Sequence, residues 1–309
     1  MPDAAEKVHV VVTCTSRKTV APSDRLRVRA LQGGDVERRA CEWIDRLEHS
    51  KDRSVPVRTL YSGEHWSVVK SFATGDDSVK RDVEVWVVSA GYGLLSLDAE
   101  IHPYAATFSS SHADTVGTQR TEWWRALTRW SGPRRHSSHR SLTDLVRASE
   151  EGPVLIALSP PYLDACSHDL AEALDLASQN QVSIISAGLH GGPLGTWLLP
   201  CDARLQRALG GSLQALNARV VSFLLDTHVG SMERTALADT LGTLLRDQPS
   251  VTRYDRTPVA DSEVARFITD HLEKDSRLSH SRLLAMFRRS GRACEQARFR
   301  SIYHSVTCS

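Results

Sequence analysis

V-E-V-W-V-V-S-A-G-Y-G-L-L-S-L-D-A-E-I-H-P-Y-A-A-T-F, residues 83–108, opens on a segment apolar and β-branched enough for a buried strand over 83–88. The strand then breaks into Ser89-Ala90-Gly91-Tyr92-Gly93, where small residues let the backbone turn sharply and approach a ligand. Beyond the turn come Asp98, Glu100, His102, Tyr104 and Thr107. Acid, base, ring and hydroxyl groups soon after a strand end suit a site, because open α/β sheets bind ligands outside the carboxyl ends of their strands. A surface loop is polar in the same way, so these residues alone leave both readings open.

Outward from this stretch, the same rhythm repeats. Residues 9–13 (H-V-V-V-T) read as a central strand, apolar on both faces. Cys14-Thr15-Ser16-Arg17-Lys18 follows, and its hydroxyls, amides and cations suit an anion, although a solvated turn has the same composition. Lys18 is also a candidate for a Schiff base with a sugar aldehyde. A helix is expected to begin at Asp24 or Asp35 and run through Leu47, then a strand at 55–60. Residues 61–66 come next, with Tyr61, His65 and Trp66 as a base-stacking group or a packing cluster, and lead into a helix to about Phe72. Residues 109–114 form a Ser/His-rich loop able to cover a site. Further strands are expected at 154–158, ending in Ser159-Pro160-Pro161-Tyr162, and at 182–185, ending in Ser186-Ala187-Gly188-Leu189-His190. Helices are expected at 142–149, 163–177 and 213–226. This strand–loop–helix order predicts a mostly parallel sheet covered by helices, an α/β fold. Asp202, Arg204, Asn217 and Arg219 are expected to satisfy one another as a buried ion-pair and hydrogen-bond set.

Two basic segments stand apart. Around a Trp-rich helix at 121–130 lie Arg125, Arg129 and, past Gly132-Pro133, Arg134 and Arg135. Basic residues interleaved with aromatics fit single-stranded or flipped-base binding, and a positively charged linker fits equally. Past about residue 225 the pattern turns helical, with helices at 237–245, 262–272, 279–287 and 294–303. Seven arginines against the single acid Glu295 lie between 277 and 300, among them Arg288, Arg289, Arg292 and Arg298. That surplus hides within a net charge of +1 and suggests a helix-turn-helix-like, nucleic-acid-binding domain, or a helical cap with solvated arginines. The expected division is a catalytic domain at 1–228 and a helical domain at 229–309.

The 309 residues, 41% hydrophobic and 24% charged, fit a soluble globular protein. No run approaches the ~20 apolar residues of a membrane helix, and residues 1–7 carry no secretory signal. The six scattered cysteines form no C-x-x-C pair, so a structural zinc site is not expected and the thiols read as reduced and cytoplasmic.

Residues 89–95 (S-A-G-Y-G-L-L), then Asp98, Ile101, Pro103-Tyr104 and Phe108, together with residues 14–18 and Leu60-Tyr61-Ser62-Gly63, resemble the YaaA-like superfamily, named for a bacterial peroxide-stress DNA-binding protein. The resemblance covers about the first 110 residues. With its Arg-rich end, the whole chain looks closest to bacterial anti-phage DNA glycosylases that remove glucosylated hydroxymethylcytosine. On that resemblance DNA is the partner and no cofactor or metal is required. Asp98 is the first candidate for the carboxylate facing the oxocarbenium-like sugar, with Glu100 in reserve. His102 or Tyr104 would donate to the leaving base, and Tyr92 and Trp66 would sandwich it. Cys14, Ser16, Arg17, Lys18, Tyr61, Ser62, His65 and Ser89 would line the pocket, with Ser159, Tyr162 and His190 around an attached sugar. A non-enzymatic DNA-binding protein, and a nucleoside glycosidase or base-exchanging transferase, are the competing readings.

Overall fold

The computed structural model of the chain describes residues 7–73, 82–133, 139–228, 230–249 and 257–307. It divides into two units, residues 1–249 and 250–309. In the first, β1 (Lys7–Thr13) leads through two 3-10 turns to α1 (Val36–Glu48). Asp35 begins α1 by accepting from Arg38 N at 2.8 Å. Val36, Ala40, Trp43 and Leu47 bury one stripe of the helix. Next come β2 (Val55–Pro56), α2 (Val57–Leu60), α3 (Glu64–Ala73), β3 (Asp82–Ser89), β4 (Gly93–Ser96) and β5 (Glu100–Ile101). Then follow α4 (Arg120–Arg129), α5 (Leu142–Ala148), β6 (Val154–Ala157), α6 (Pro160–Ala165), α7 (Ser167–Leu176) and β7 (Val182–Ile185). The unit closes with α8 (Leu205–Leu209), α9 (Leu216–Thr227) and α10 (Arg234–Arg246).

Five strands form one sheet in the order β4-β3-β1-β6-β7. β1, β3, β6 and β7 are parallel, and β4 folds back antiparallel on the β3 edge. Val8, Val10, Val11 and Val12 are all buried, so both faces of β1 are covered and its unbroken valine run suits the centre of a parallel sheet. The chain goes from β1 to β3 on one side and later returns to β6 on the other. The strand order therefore reverses beside β1.

The turn after β3 is buried, and its backbone groups need partners. The indole N–H groups of Trp123 and Trp43 donate to Ala90 O and Gly91 O, both at 2.8 Å. Arg140 donates to Tyr92 O at 2.6 Å, to Leu94 O at 2.8 Å, to Leu127 O in α4's last turn and to Trp130 O just past it. Burial pulls this guanidinium down to about 10. Gly91 is required for a second reason, because a Cβ there would run into the Tyr104 ring.

Three expectations are corrected. The strand expected at 55–60 is two residues long and becomes a helical turn, whose first amides at Val57 and Arg58 reach back to Ala99 O and Leu97 O, both at 3.0 Å. The helix expected at 163–177 is two helices, α6 and α7, which meet at Cys166. The division falls at 249–250 rather than 228–229, because α10 belongs to the first unit. Leu237, Leu241 and Leu245 are buried in its core, and Arg234 donates to Asn180 O and Val182 O, both at 3.1 Å.

The second unit holds α11 (Asp261–Leu272), α12 (His280–Arg289) and α13 (Gln296–Thr307), with a two-residue parallel pair of β8 (Thr257–Pro258) and β9 (Arg292–Ala293). Its own core includes Val264, Phe267, Ile268, Leu283, Phe287 and Phe299.

Gly91→Ala is expected to lower unfolding stability by roughly 1–3 kcal/mol, the usual cost of overpacking a filled site. Urea denaturation monitored by tryptophan fluorescence measures it.

Candidate active site

β1, β3 and β6 end nearly level, Thr13 pairing with Val88 and Val12 with Ala157. Cys14, Ser89 and Ser159 therefore stand at one edge of the sheet, where the strand order reverses and α/β proteins bind ligands.

The polar groups there are linked. Ser89 Oγ accepts from Gly91 N at 3.2 Å and Tyr92 N at 3.1 Å, and lies 2.7 Å from Tyr104 OH. Tyr104 OH lies 2.8 Å from Tyr61 OH. Two amides occupy the lone pairs of Ser89 Oγ, so Ser89 is the donor to the tyrosines, and because Tyr61 hydrogen-bonds Ser89 as well as Tyr104, the three hydroxyls form a closed cluster. On the β6 side, Tyr162 OH and Cys14 Sγ are 3.3 Å apart. Burial pushes the phenols of Tyr61, Tyr104 and Tyr162 well above their usual range, so all three stay protonated.

A lysine from the turn that follows β1 and a histidine from the first turn of α3 lie beside these groups. Lys18 Nζ donates to Thr15 O at 3.2 Å and lies 4.2 Å from the Tyr104 ring centroid and 5.5 Å from that of Tyr61. Burial lowers its pKa below the ordinary lysine range, against the opposing pull of Cys14 and Asp114. His65 Nε2 lies 3.0 Å from Thr13 O. That contact assigns the proton to Nε2 and leaves Nδ1 as the lone-pair nitrogen. Burial lowers the His65 pKa, with the Thr13 carbonyl opposing, so the ring is neutral at pH 7.

Backbone pairing fixes these two segments together. Thr19 N donates to Leu60 O at 2.8 Å and Ser62 N to Arg17 O at 3.1 Å, with a bridge between Lys18 and Tyr61. Gly63, at φ 94°, turns the chain beneath the Arg17 side chain. Glu64 ties the start of α3 to α9 and the segment before it, accepting from Ser212 N and Arg219 Nη2, both at 2.9 Å. Asn217 bridges the ends of β6 and β7, accepting from Ala187 N and donating to Leu158 O. Asp202 pairs with Arg204 at 2.8 Å. The four residues expected to form one polar set thus serve three separate contacts.

Cys14, Lys18, Tyr61, His65, Ser89, Tyr104 and Tyr162 come together. Ser16 and Arg17 are exposed on the β1 turn, while Ser62 and Ser159 are half-buried beside it. His190 is exposed on the loop after β7. Asp98 is elsewhere. The β3–β4 hairpin sets Ser96 opposite Trp86, back toward the amino end of β3. Asp98 lies two residues further on, 77% exposed and paired with Arg58. Glu100 accepts from Ser54 Oγ at 2.9 Å, and with His102 lines a separate cavity of about 490 Å³. Tyr104 is unsuited to protonate a leaving base, because its hydroxyl is held within that buried cluster. Tyr92 and Trp66 do not face each other across an opening. Both are 1% exposed. Tyr92 OH bonds the backbone of His102, and Trp66 packs edge-on against Tyr61 at 4.9 Å.

The expected DNA-contacting arginines also divide. Arg125 and Arg129 line a groove of about 350 Å³ in company with Glu122, Asp144, Asp169 and Glu172, a poor track for phosphates. Arg134 and Arg135 lie outside the described residues. In the second unit, Arg288 donates to Cys294 O at 3.0 Å, and Arg292 sits 5.3 Å from the ring centroids of both Phe267 and Phe287. Arg298 pairs with Asp261 and donates to Val259 O. Arg289 is exposed.

No family model, curated protein or solved structure matches this chain. One residue of the site escaped the sequence reading. Asp114 is 2% exposed and acts electrostatically on Lys18, with Arg29 Nε 3.4 Å from its Oδ1. Within a Ser/His-rich loop nothing in the sequence marks its burial. Among the described residues no group of His, Cys, Asp and Glu is arranged to hold a metal, and no helix is long and apolar enough to cross a membrane.

Its two donors hold the Glu64 carboxyl down at about 2, from an ordinary 4.5. A lowered carboxylate pKa stabilises the fold fully above pH 4.5, and the effect is lost as pH falls toward 2. Glu64→Gln is expected to flatten the melting temperature's dependence on pH across that window, as measured by thermal denaturation from pH 2 to 6.

Proposed function

We propose that this chain is a DNA N-glycosylase of the YaaA-like superfamily that excises a modified cytosine, glucosylated hydroxymethylcytosine, from phage DNA as an anti-phage defence in the cytoplasm. One observation carries the reading. The separate segments that resemble that superfamily, residues 14–18, 60–63, 89–95 and 103–104, converge at the strand ends on Lys18, Tyr61, Ser89 and Tyr104. Lys18 and His65 then take the roles first assigned to Asp98, Glu100 and His102. The bond between C1′ of the sugar and the base nitrogen breaks, and its electron pair leaves with the base. Lys18 gives the base a proton. His65 Nδ1 takes a proton from water as the water oxygen bonds to C1′, with the ring oriented by Thr13 O. Asp114 offsets the Lys18 charge near the developing oxocarbenium ion. The target nucleotide would be flipped out of the duplex to reach this site. The second unit would act as a helix-turn-helix-like module, with Arg282, Arg289 and Arg300 facing phosphates.

The test is incubation of the purified protein with DNA containing the glucosylated base and with unmodified DNA, reading released base by mass spectrometry and counting abasic sites. Release is expected from the modified DNA alone. Lys18→Met should slow it by on the order of 10²-fold or more, while Asp98→Asn changes it less than about threefold, the weight of an exposed ion pair. No release from either DNA, with both retarded on a gel, would replace this reading with a non-enzymatic DNA-binding protein.

A further inference from the structure

Glu100 and His102 line a cavity of about 490 Å³ that base excision does not use. That volume suits a small-molecule site. Its apolar lining includes Leu47, Tyr92 and Trp130, all buried. Its carboxylates are Glu48, the last residue of α1, and Glu100 in β5. Among the described residues no lysine or arginine lines it.

Each carboxylate has a neutral donor and no cation. Trp130 Nε1 donates to Glu48 Oε1 at 2.6 Å, and Ser54 Oγ donates to Glu100 Oε2 at 2.9 Å. Neither glutamate forms an ion pair among the described residues. Two more sources of negative potential lie close by. The carboxyl end of α1, the negative end of its dipole, reaches the cavity at Leu47 and Glu48. Asp52 is near enough to the Tyr92 phenol to add to the upward pKa shift that burial gives it. On the positive side, the Arg140 guanidinium lies against Gly132 but is bonded to four backbone carbonyls. His102 Nδ1 is buried with no partner among the described residues. A proton there would be an unpaired donor, so the neutral ring carries its proton on Nε2. A metal ion is a poor match, because among the described residues no group of His, Cys, Asp and Glu is arranged to hold one.

We propose that this cavity binds a small organic amine, its ammonium group on Glu100 and Glu48 and its alkyl stem against Leu47 and Trp130. A carboxylate in a partly apolar recess gains more from a fitted ammonium than one open to water, because the pair is screened less. The proposal does not rest on the glycosylase reading, which uses neither glutamate.

Isothermal titration of the full chain tests this with four probes: n-butylammonium, ammonium, 1-butanol and Mg²⁺. Butylammonium is expected to bind about tenfold or more tightly than ammonium, which has no stem to bury, and than 1-butanol, which has no charge. Mg²⁺ is expected not to bind. Glu100→Gln should weaken butylammonium by about tenfold. Glu48 is exposed, so Glu48→Gln should weaken it by about threefold. Each glutamine keeps an oxygen for Ser54 or Trp130, and circular dichroism checks that the variants fold. Glu172→Gln, in the groove lined by Arg125 and Arg129, should leave the affinity unchanged. No binding of butylammonium, equal binding of 1-butanol or Mg²⁺, unchanged affinity in folded Glu100→Gln, or an equal loss in Glu172→Gln overturns the proposal. So does binding that appears only when Arg134 and Arg135 are both changed to Ala, because the chain's own guanidinium groups would then be the occupant.

Discussion

The buried turn from Ser89 to Leu94 is the constraint on which the first unit depends. A tight turn at a strand end normally leaves its amides and carbonyls to water. Here water is excluded, and side chains from three other places, together with that of Ser89, satisfy the turn. Trp43 comes from α1, Trp123 from α4, Arg140 from the segment before α5, and Ser89 from the strand itself. An unpaired buried carbonyl or amide costs on the order of 1–3 kcal/mol, so these contacts are mutually required. They join α1, α4 and the β3–β4 hairpin into one block. Gly91 lets Tyr104 lie directly on the turn, which brings the 100–104 segment back to the carboxyl end of the sheet.

The site takes its polarity from that same turn. Because Gly91 N and Tyr92 N fill the lone pairs of Ser89 Oγ, backbone geometry makes Ser89 the donor to the tyrosine hydroxyls clustered against it. The cost falls on Lys18, an amine held half-buried against two aromatic rings, with its pKa lowered by the same burial that keeps the tyrosines protonated. An ammonium placed there is poised to lose a proton more readily than a solvated lysine. Such tuning is characteristic of acid–base groups in enzymes, although buried structural lysines share it.

Much of the sheet was legible in the sequence. β1, β3, β6 and β7 are short apolar runs followed by turn residues, and burial on both faces gives parallel strands that composition. Several site residues were legible for the same reason, since Cys14, Ser89 and Ser159 sit at the ends of those runs. Asp98 was not, because linear distance from a strand end carries no direction. Leu94-Leu95 forms an antiparallel return strand that takes Asp98 back toward the amino end of β3. Arg140 reads as part of a basic linker, and nothing local reveals that four carbonyls await it. Asp114 is hidden in the same way, its burial decided by Arg29 far away in the sequence.

Charge counted along a helix also differs from charge offered to a partner. Of the seven arginines between 277 and 300, Arg277 bonds Asp275, Arg288 a carbonyl, Arg292 two aromatic rings and Arg298 the Asp261 carboxylate. Those contacts hold α11, α12, β9 and α13 together around a small core, where stacked guanidinium groups supply packing area as well as charge. Arg282, Arg289 and Arg300 are the exposed remainder, with no ion pair among the described residues. Each phosphate neutralised releases roughly 0.9 counterion from duplex DNA, so three arginines give a salt dependence far shallower than seven would. Binding through this unit alone would then be weak and non-specific at physiological salt. On the proposed glycosylase reading, selectivity for a particular base would have to come from the first unit, at the carboxyl ends of β1 and β3.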